Sequence, residues 1–367
     1  MKKNKLLVLL IPALFAVGCG ENNSGNDYNL PENGKDMAFT DAKAKFSNTL
    51  KEMDSTDALG VKIEDAAIKL NVKTFENKNL QTNVNVELSD FDLFFGVKGL
   101  TSATKFSELE ASASTGIKGN LTIENTNDSS ANINKTLDVS AAAYIKDGNA
   151  YVDASNENLI ALLKDMANVT LENTKFYVPV PADDEATSYP LLKDGMLEST
   201  FDKVYTKITS SIPTTTFNDI TTTFMTCKSY NDKEWGIQLS ADKEGILSYA
   251  RKTIEDSMSN LGDMMTSEQK TSAIESGMQQ VEEMLTKSNF DHVNAGIIFN
   301  DKQLKTIFVD VKAGAYVSEE NSDGDTTTSN ETNVNFEVKT YVNFLYGNDV
   351  QMNFPSFDDY KVLTTQK

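Results

Sequence analysis

The chain of 367 residues has one histidine, two cysteines and no long apolar run. Its longest such run, residues 6–17, stops at about twelve. A helix that crosses a bilayer needs roughly 18 to 20 apolar residues, so none is expected in the mature chain. A single histidine excludes most catalytic triads and histidine-based metal sets, and no CxxC, HExxH, GxSxG or Walker-type loop is present. Positive charge is also scarce, with 34 Lys and Arg against 54 Asp and Glu and a formal charge of −20. Such a chain lacks the basic patch that a phosphate backbone requires, which excludes nucleic acid as a partner. It is equally unsuited to holding anionic headgroups by surface charge. The excess of acid reads as a solvated surface.

What the N-terminus does contain is an ordered signal. Lys2, Lys3 and Lys5 precede the apolar run, and the small residue Gly18 and then Cys19 close it. That is the order of a secretory signal peptide. Ala16-Val17-Gly18-Cys19 resembles the lipobox of bacterial lipoproteins, with alanine at 16 where leucine is commonest. The resemblance implies cleavage before Cys19 and acyl chains, such as palmitate, on that residue. Each buried methylene is worth about 0.8 kcal/mol, so two or three chains anchor where one only lingers. The expected location is extracytoplasmic, lipid-anchored to a bacterial cell membrane, the outer one if the cell has it. Residues 1–18 are then the signal peptide and residues 19–37, rich in Gly, Asn, Ser and Asp, a flexible tether. With Cys19 acylated, Cys227 has no disulfide partner and reads as a buried or strand-borne thiol.

Residues 38–367 alternate between two periods. Phe39, Ala42, Phe46, Leu50 and Met53 recur at helical spacing and predict a helix over about 38–59. From Val61 the period drops to two. Residues 80–97 alternate but change phase once, which predicts a β-bulge near Ser89 and Asp90. Residues 109–124 alternate without a break, a strand far longer than the usual five or six. Asp147 and Gly148 mark a hairpin turn. "YVDASNENLIALLKDM" passes from strand to helix with Ser155 as N-cap, and "IQLSADKEGILSYARKTI" repeats that layout with Asp242 in the capping place. A helix is expected over 192–212, and the threonine-rich residues 214–230 suggest a strand paired with 235–239. Two helices and three closing strands, at 290–300, 304–317 and 334–346, complete the pattern. One domain over 38–367 is expected, with two lobes divided near Ser188 as the alternative.

Long antiparallel strands with helices between them define an α+β fold. Because each strand is apolar on one side, one face of the sheet is expected to be covered and the other wet. The preferred architecture is a long curved antiparallel sheet, half-barrel-like, with helices on its concave face. That layout, behind a lipobox and a short tether, resembles the LolA and LolB envelope carriers and the mycobacterial LppX and LprG lipoproteins. The resemblance is one of layout over about 300 residues, and it implies a space for acyl chains between sheet and helices. Methionines concentrate in the two helices between 246 and 285, and flexible thioethers suit an adaptable apolar surface. Met258, Leu261, Met265, Ile274, Met278 and Leu285 are therefore the candidate contacts for a hydrophobic ligand.

The remaining polar features carry little chemistry. His292 begins a strand and is expected on its exposed side. The acidic stretch 318–332, set on the calcium-loop template from Asn321, puts Thr326 where glycine and Thr332 where glutamate are required. It is expected to be a solvated hairpin loop, and no metal or cofactor is expected. The functional expectation is a non-enzymatic carrier or binding protein for a lipid or other hydrophobic ligand. The alternative is a cell-envelope scaffold with a filled core that binds protein or glycan.

Overall fold

The computed structural model describes residues 28–167, 169–171, 173–180, 190–230, 233–260, 264–323 and 326–363. Those residues form an α+β protein: thirteen strands in one mixed sheet, with six α-helices. The first half contains β1 (Lys35–Asp36), α1 (Phe39–Met53), β2 (Ala58–Glu76), β3 (Asn79–Lys98), β4 (Glu110–Asn125), β5 (Ile133–Lys146), β6 (Asn149–Asp153), α2 (Glu157–Ala167) and β7 (Lys175–Pro179). The second contains α3 (Met196–Ser210), α4 (Thr214–Phe224), β8 (Met225–Ser229), β9 (Trp235–Asp242), α5 (Lys243–Asn260), α6 (Ser267–Lys287), β10 (His292–Phe299), β11 (Leu304–Asp323), β12 (Thr326–Tyr346) and β13 (Lys361–Val362). In space the order is β1-β8-β9-β10-β11-β12-β2-β3-β4-β5-β6-β7-β13. Every pairing is antiparallel except that of β13 with β7, and the sheet is not closed into a barrel. The halves meet along β12 and β2. The expected boundary at Ser188 lies outside the described residues.

The long strands keep one apolar face through two bulges. In β2 the register slips between Ile63 and Ala66, and in β3 between Leu88 and Asp90, the place where the alternation changes phase. A one-residue slip would turn every later side chain over, so the bulges restore the apolar set to its original side. Hairpins turn at Asn77-Lys78 and Asp147-Gly148, where both residues of each pair have positive φ. That is the backbone a two-residue turn between right-twisted strands needs.

Several segments depart from expectation; α1 ends at Met53, short of the expected Leu59, and Ala58 already belongs to β2. Residues 214–224 form a helix, α4, rather than a strand. Phe217, Ile220 and Phe224 recur at spacings of three and four, and Phe217 meets the rings of Phe39 and Tyr205. The hydroxyls of Thr221 and Thr222 donate back to the Asn218 carbonyl, so the helix absorbs the threonines. The N-cap of α2 is Asn156, whose Oδ1 accepts from the Leu159 N–H at 2.8 Å; Ser155 donates to Asp153 instead. Asp242 does cap α5, accepting from the Gly245 N–H. The acidic stretch 318–332 is not a loop: β11 and β12 stay paired as far as Asp323 and Thr326.

Residues 28–36 were expected as part of the tether, and they dock on the sheet. Leu30 is 4% exposed and its N–H donates to Gln238 Oε1, Tyr28 stacks on Tyr341 at 4.7 Å, and β1 pairs with β8. Two apolar side chains and a short strand suffice to hold this otherwise polar segment. The C-terminal segment makes the reciprocal crossing. Phe357 stacks on Tyr151 at 3.8 Å, Phe354 and Phe357 both contact Tyr144, and β13 pairs with β7. Each chain end thus clasps the half of the sheet built by the other end.

The core lies where helices meet the apolar face. Trp235 stacks on Phe299 at 4.3 Å, with Phe46 of α1 edge-on to Phe299 and Ala42 fully buried beside them. Leu285 of α6 packs with Phe290, Val293, Val309 and Val311, and Ile246 and Leu247 of α5 join them. Fully burying a side chain such as Phe299 stabilises by about 1.5–3 kcal/mol.

Candidate functional site

Beyond the ends of β6 and β10, six strands continue without those neighbours, and cross-strand pairing arranges their apolar residues in rows. One row is Val334, Val72, Val84, Ile123 and Ile133. The next is Phe336, Leu70, Val86, Leu121 and Lys135, and the third Val338, Ile68, Leu88, Gly119 and Leu137. Ala315, Ala313 and Val311 of β11 continue them on one side, where Val311 and Ala313 are buried and Phe336 and Val338 pack against the Leu285 core. Apart from Gly119, the side chains from β12 through β5 in these rows are half-buried. The principal helix contacts with the sheet fall on β5, β8 and β9, not on β2, β3 or β4.

Helices stand at both margins of this surface. On one side α2 follows the free margin of β5. Asn158 donates to the Asp138 carbonyl, Asn156 to Ser140 Oγ, and Lys135 Nζ lies 2.7 Å from Asp165 Oδ2. The Lys135 hydrogen bond and charge hold the Asp165 carboxyl below its ordinary pKa. On the other side α5 and α6 leave the sheet where β9 and β10 end, and Lys287 of α6 lies over the Tyr316 ring of β11. The two strand-to-helix stretches with matching layout, β6 into α2 and β9 into α5, thus adjoin the sheet at β5 and at β9 respectively.

The opposite face is polar. Asn335, Asn71, Asn85, Thr122 and Asn134 pair across it, Asn71 donates to Asn83, and Asn83 donates to Glu124. Lys69 pairs with Glu87, and Lys118 with Asp90. Such exposed pairs contribute about 0–1 kcal/mol each and chiefly keep this face wet.

Of the candidate ligand contacts, Leu285 belongs to the core between α6 and β11, and Met278 is buried. Met258, Met265 and Ile274 are half-buried, while Leu261 lies outside the described residues. The close approach of α5 to α6 is set by Gly277, whose added Cβ would meet Ile254 at 3.0 Å. Two clefts stand out, and neither is lined by these residues. One, of about 500 Å³, is polar and includes Glu52, Asp57, Lys98, Lys302 and Tyr346; the other, of about 630 Å³, follows the surface of α3. Sequence reasoning named the strands of the apolar rows but not the rows, because register between distant strands sets them.

Cys19 lies outside the described residues. Cys227 is a buried, free thiol beside Trp235 and Phe299, and burial pushes its pKa up to about 11. His292 is partly exposed, with Nε2 2.9 Å from Asp310 and Nδ1 3.1 Å from Asp291. Among the described residues no three His, Cys, Asp or Glu side chains are grouped to hold a metal ion. No described helix is long and apolar enough to cross a membrane, which says nothing of crossing by strands.

The molecule is of the α+β class, with one broad mixed sheet. No family model matches the chain, and no curated protein matches it. Among solved structures it is similar to the outer membrane protein OprG from Pseudomonas aeruginosa, at 7% identity over 80% of this chain and 98% of that one, with a TM-score of 0.15. A score so low carries neither fold nor function from one protein to the other.

Proposed function

We propose that the protein is a lipid-anchored, extracytoplasmic carrier or binding protein for an elongated hydrophobic ligand, without enzymatic activity. The ligand lies along the three apolar rows, and the sheet curves so that they form the floor of a trough with helices on its concave side. Cys19 carries the anchor, and the expected tether, residues 19–37, is docked on the sheet at least over Tyr28–Asp36. The observation that carries this reading is the run of half-buried valine, leucine and isoleucine side chains over five neighbouring strands. A continuous apolar surface that helices leave partly accessible is the kind of patch that marks a binding site. Organic extraction of the purified protein, followed by mass spectrometry, tests it. Copurified long-chain lipid is expected, and a repeatedly empty extract from protein that binds no hydrophobic probe contradicts it. The anchor is tested separately: Cys19→Ser abolishes acylation and membrane retention.

A second reading, an envelope scaffold that binds protein or glycan, draws on the asparagine-rich polar face. It is favoured if the extract is empty and the purified protein retains cell-envelope polymer.

A further inference from the structure

Resting on the binding reading above, the charge on the apolar surface specifies the ligand further. In the three rows from β12 to β5, Lys135 is the one ionisable residue, and it stands at the end of the row that begins at Phe336. Its partner Asp165 belongs to α2, and the two side chains are 43% and 50% exposed. Lys164 adjoins Asp165 in the chain, and its charge acts on the Asp165 carboxyl in the same sense as that of Lys135. An exposed ion pair of this kind is worth little and exchanges partners readily. From Phe336 to Lys135 the row crosses four strand spacings, roughly 19 Å. One leaflet of a bilayer's hydrocarbon is about 15 Å deep, so the row accommodates one extended acyl chain.

We propose that this row binds a long-chain amphiphile with an anionic head, the chain lying across β12, β2, β3 and β4 and the head meeting Lys135 at the margin of β5. A carboxylate or phosphate head replaces Asp165 or shares Lys135 with it. A cationic head meets Lys135 as a like charge and must compete with it for Asp165. The formal charge of −20 favours cationic amphiphiles in general, so a preference for the anion cannot come from net charge.

The test uses the chain from Gly20 onward, which keeps every described residue, and calorimetric titration below micellar concentrations. The ligands are hexadecanoate, hexadecyl phosphate and hexadecyltrimethylammonium. Both anions are expected to bind at least tenfold more tightly than the cation. Lys135→Met should abolish that preference while chain binding persists, Lys135→Glu should reverse it, and Asp165→Asn should tighten anion binding severalfold. A tighter hold on only one of the two anions identifies the head, carboxylate or phosphate, within the same proposal. Equal binding of anion and cation, or a preference unchanged in Lys135→Glu, overturns this inference and leaves the hydrophobic-ligand reading standing. Absence of binding by all three amphiphiles overturns both.

Discussion

Where β2 begins, the sheet is thick: Ile63 and Ala66 are almost fully buried, Trp235 and Phe299 stack beneath α1, and the two chain ends cross the back. Nine residues beyond Ile63 on the same strand, Val72 and its cross-strand partners Val84 and Val334 are half-buried. Both regions share strands, alternation and residue types. They differ in burial: Ile63 and Ala66 pack with Phe91 and Leu93 into a closed cluster, whereas Val72, Val84 and Val334 keep part of their surface accessible. Since the residue types match, stability and binding are expected to separate along the strands, the first residing in the covered end and the second in the open half.

The largest effect is expected from emptying the covered end. Trp235→Ala should lower the unfolding free energy by about 3–5 kcal/mol, read by chemical denaturation, because the cavity cannot collapse around Phe299 and Cys227. Next come two glycines of β4. A Cβ on Gly119 would meet the Glu87 carbonyl oxygen at 2.1 Å, whereas at Gly116 the nearest atom is 3.9 Å away. Gly119→Ala should therefore cost about 1–3 kcal/mol by opening the bulge opposite. Gly116→Ala should be neutral or stabilise by up to about 1 kcal/mol. A comparable loss at both positions would show that the bulge is not rigid.

Alkaline pH sharpens the comparison from another side. Burial raises the Cys227 pKa to about 11 and that of Tyr230 to about 12, both in the covered end. Each folded value lies above the group's ordinary value, so the folded chain holds these protons more tightly. Their contribution is complete below about pH 9 for the thiol and is lost as pH rises through 11. The midpoint of denaturation should fall over that window, and the fall should flatten in Cys227→Ala. The smallest stability change belongs to the open half. Val86→Thr and Leu121→Thr should each change the unfolding free energy by about 1 kcal/mol or less, and together they should weaken ligand binding at least tenfold.

Much of the strand architecture was legible in the alternation. The phase change at Ser89 and Asp90 located a bulge, since a strand with one buried face cannot lose register unnoticed. The helix α4 was hidden because its threonines favour strands by propensity, while its aromatic residues act through Phe39, Tyr205 and Tyr249, distant in the chain. The docked segment 28–36 was hidden because only Leu30 and Tyr28 distinguish it from a polar tether. Methionine spacing directed attention to α5 and α6, where Met278 and Leu285 are buried. The apolar rows became visible only once Val334, Val72, Val84 and Ile123 were brought into register from three separate parts of the chain.

The most direct measurement is hydrogen–deuterium exchange of the chain from Gly20 onward, with and without hexadecanoate. Binding in the open half should slow exchange in peptides spanning residues 68–74, 82–88, 119–124 and 334–338, with little change around Trp235 and Phe299. Protection confined to α5 and α6 or to the covered end, or no protection at saturating ligand, would contradict the assignment of binding to the open apolar rows.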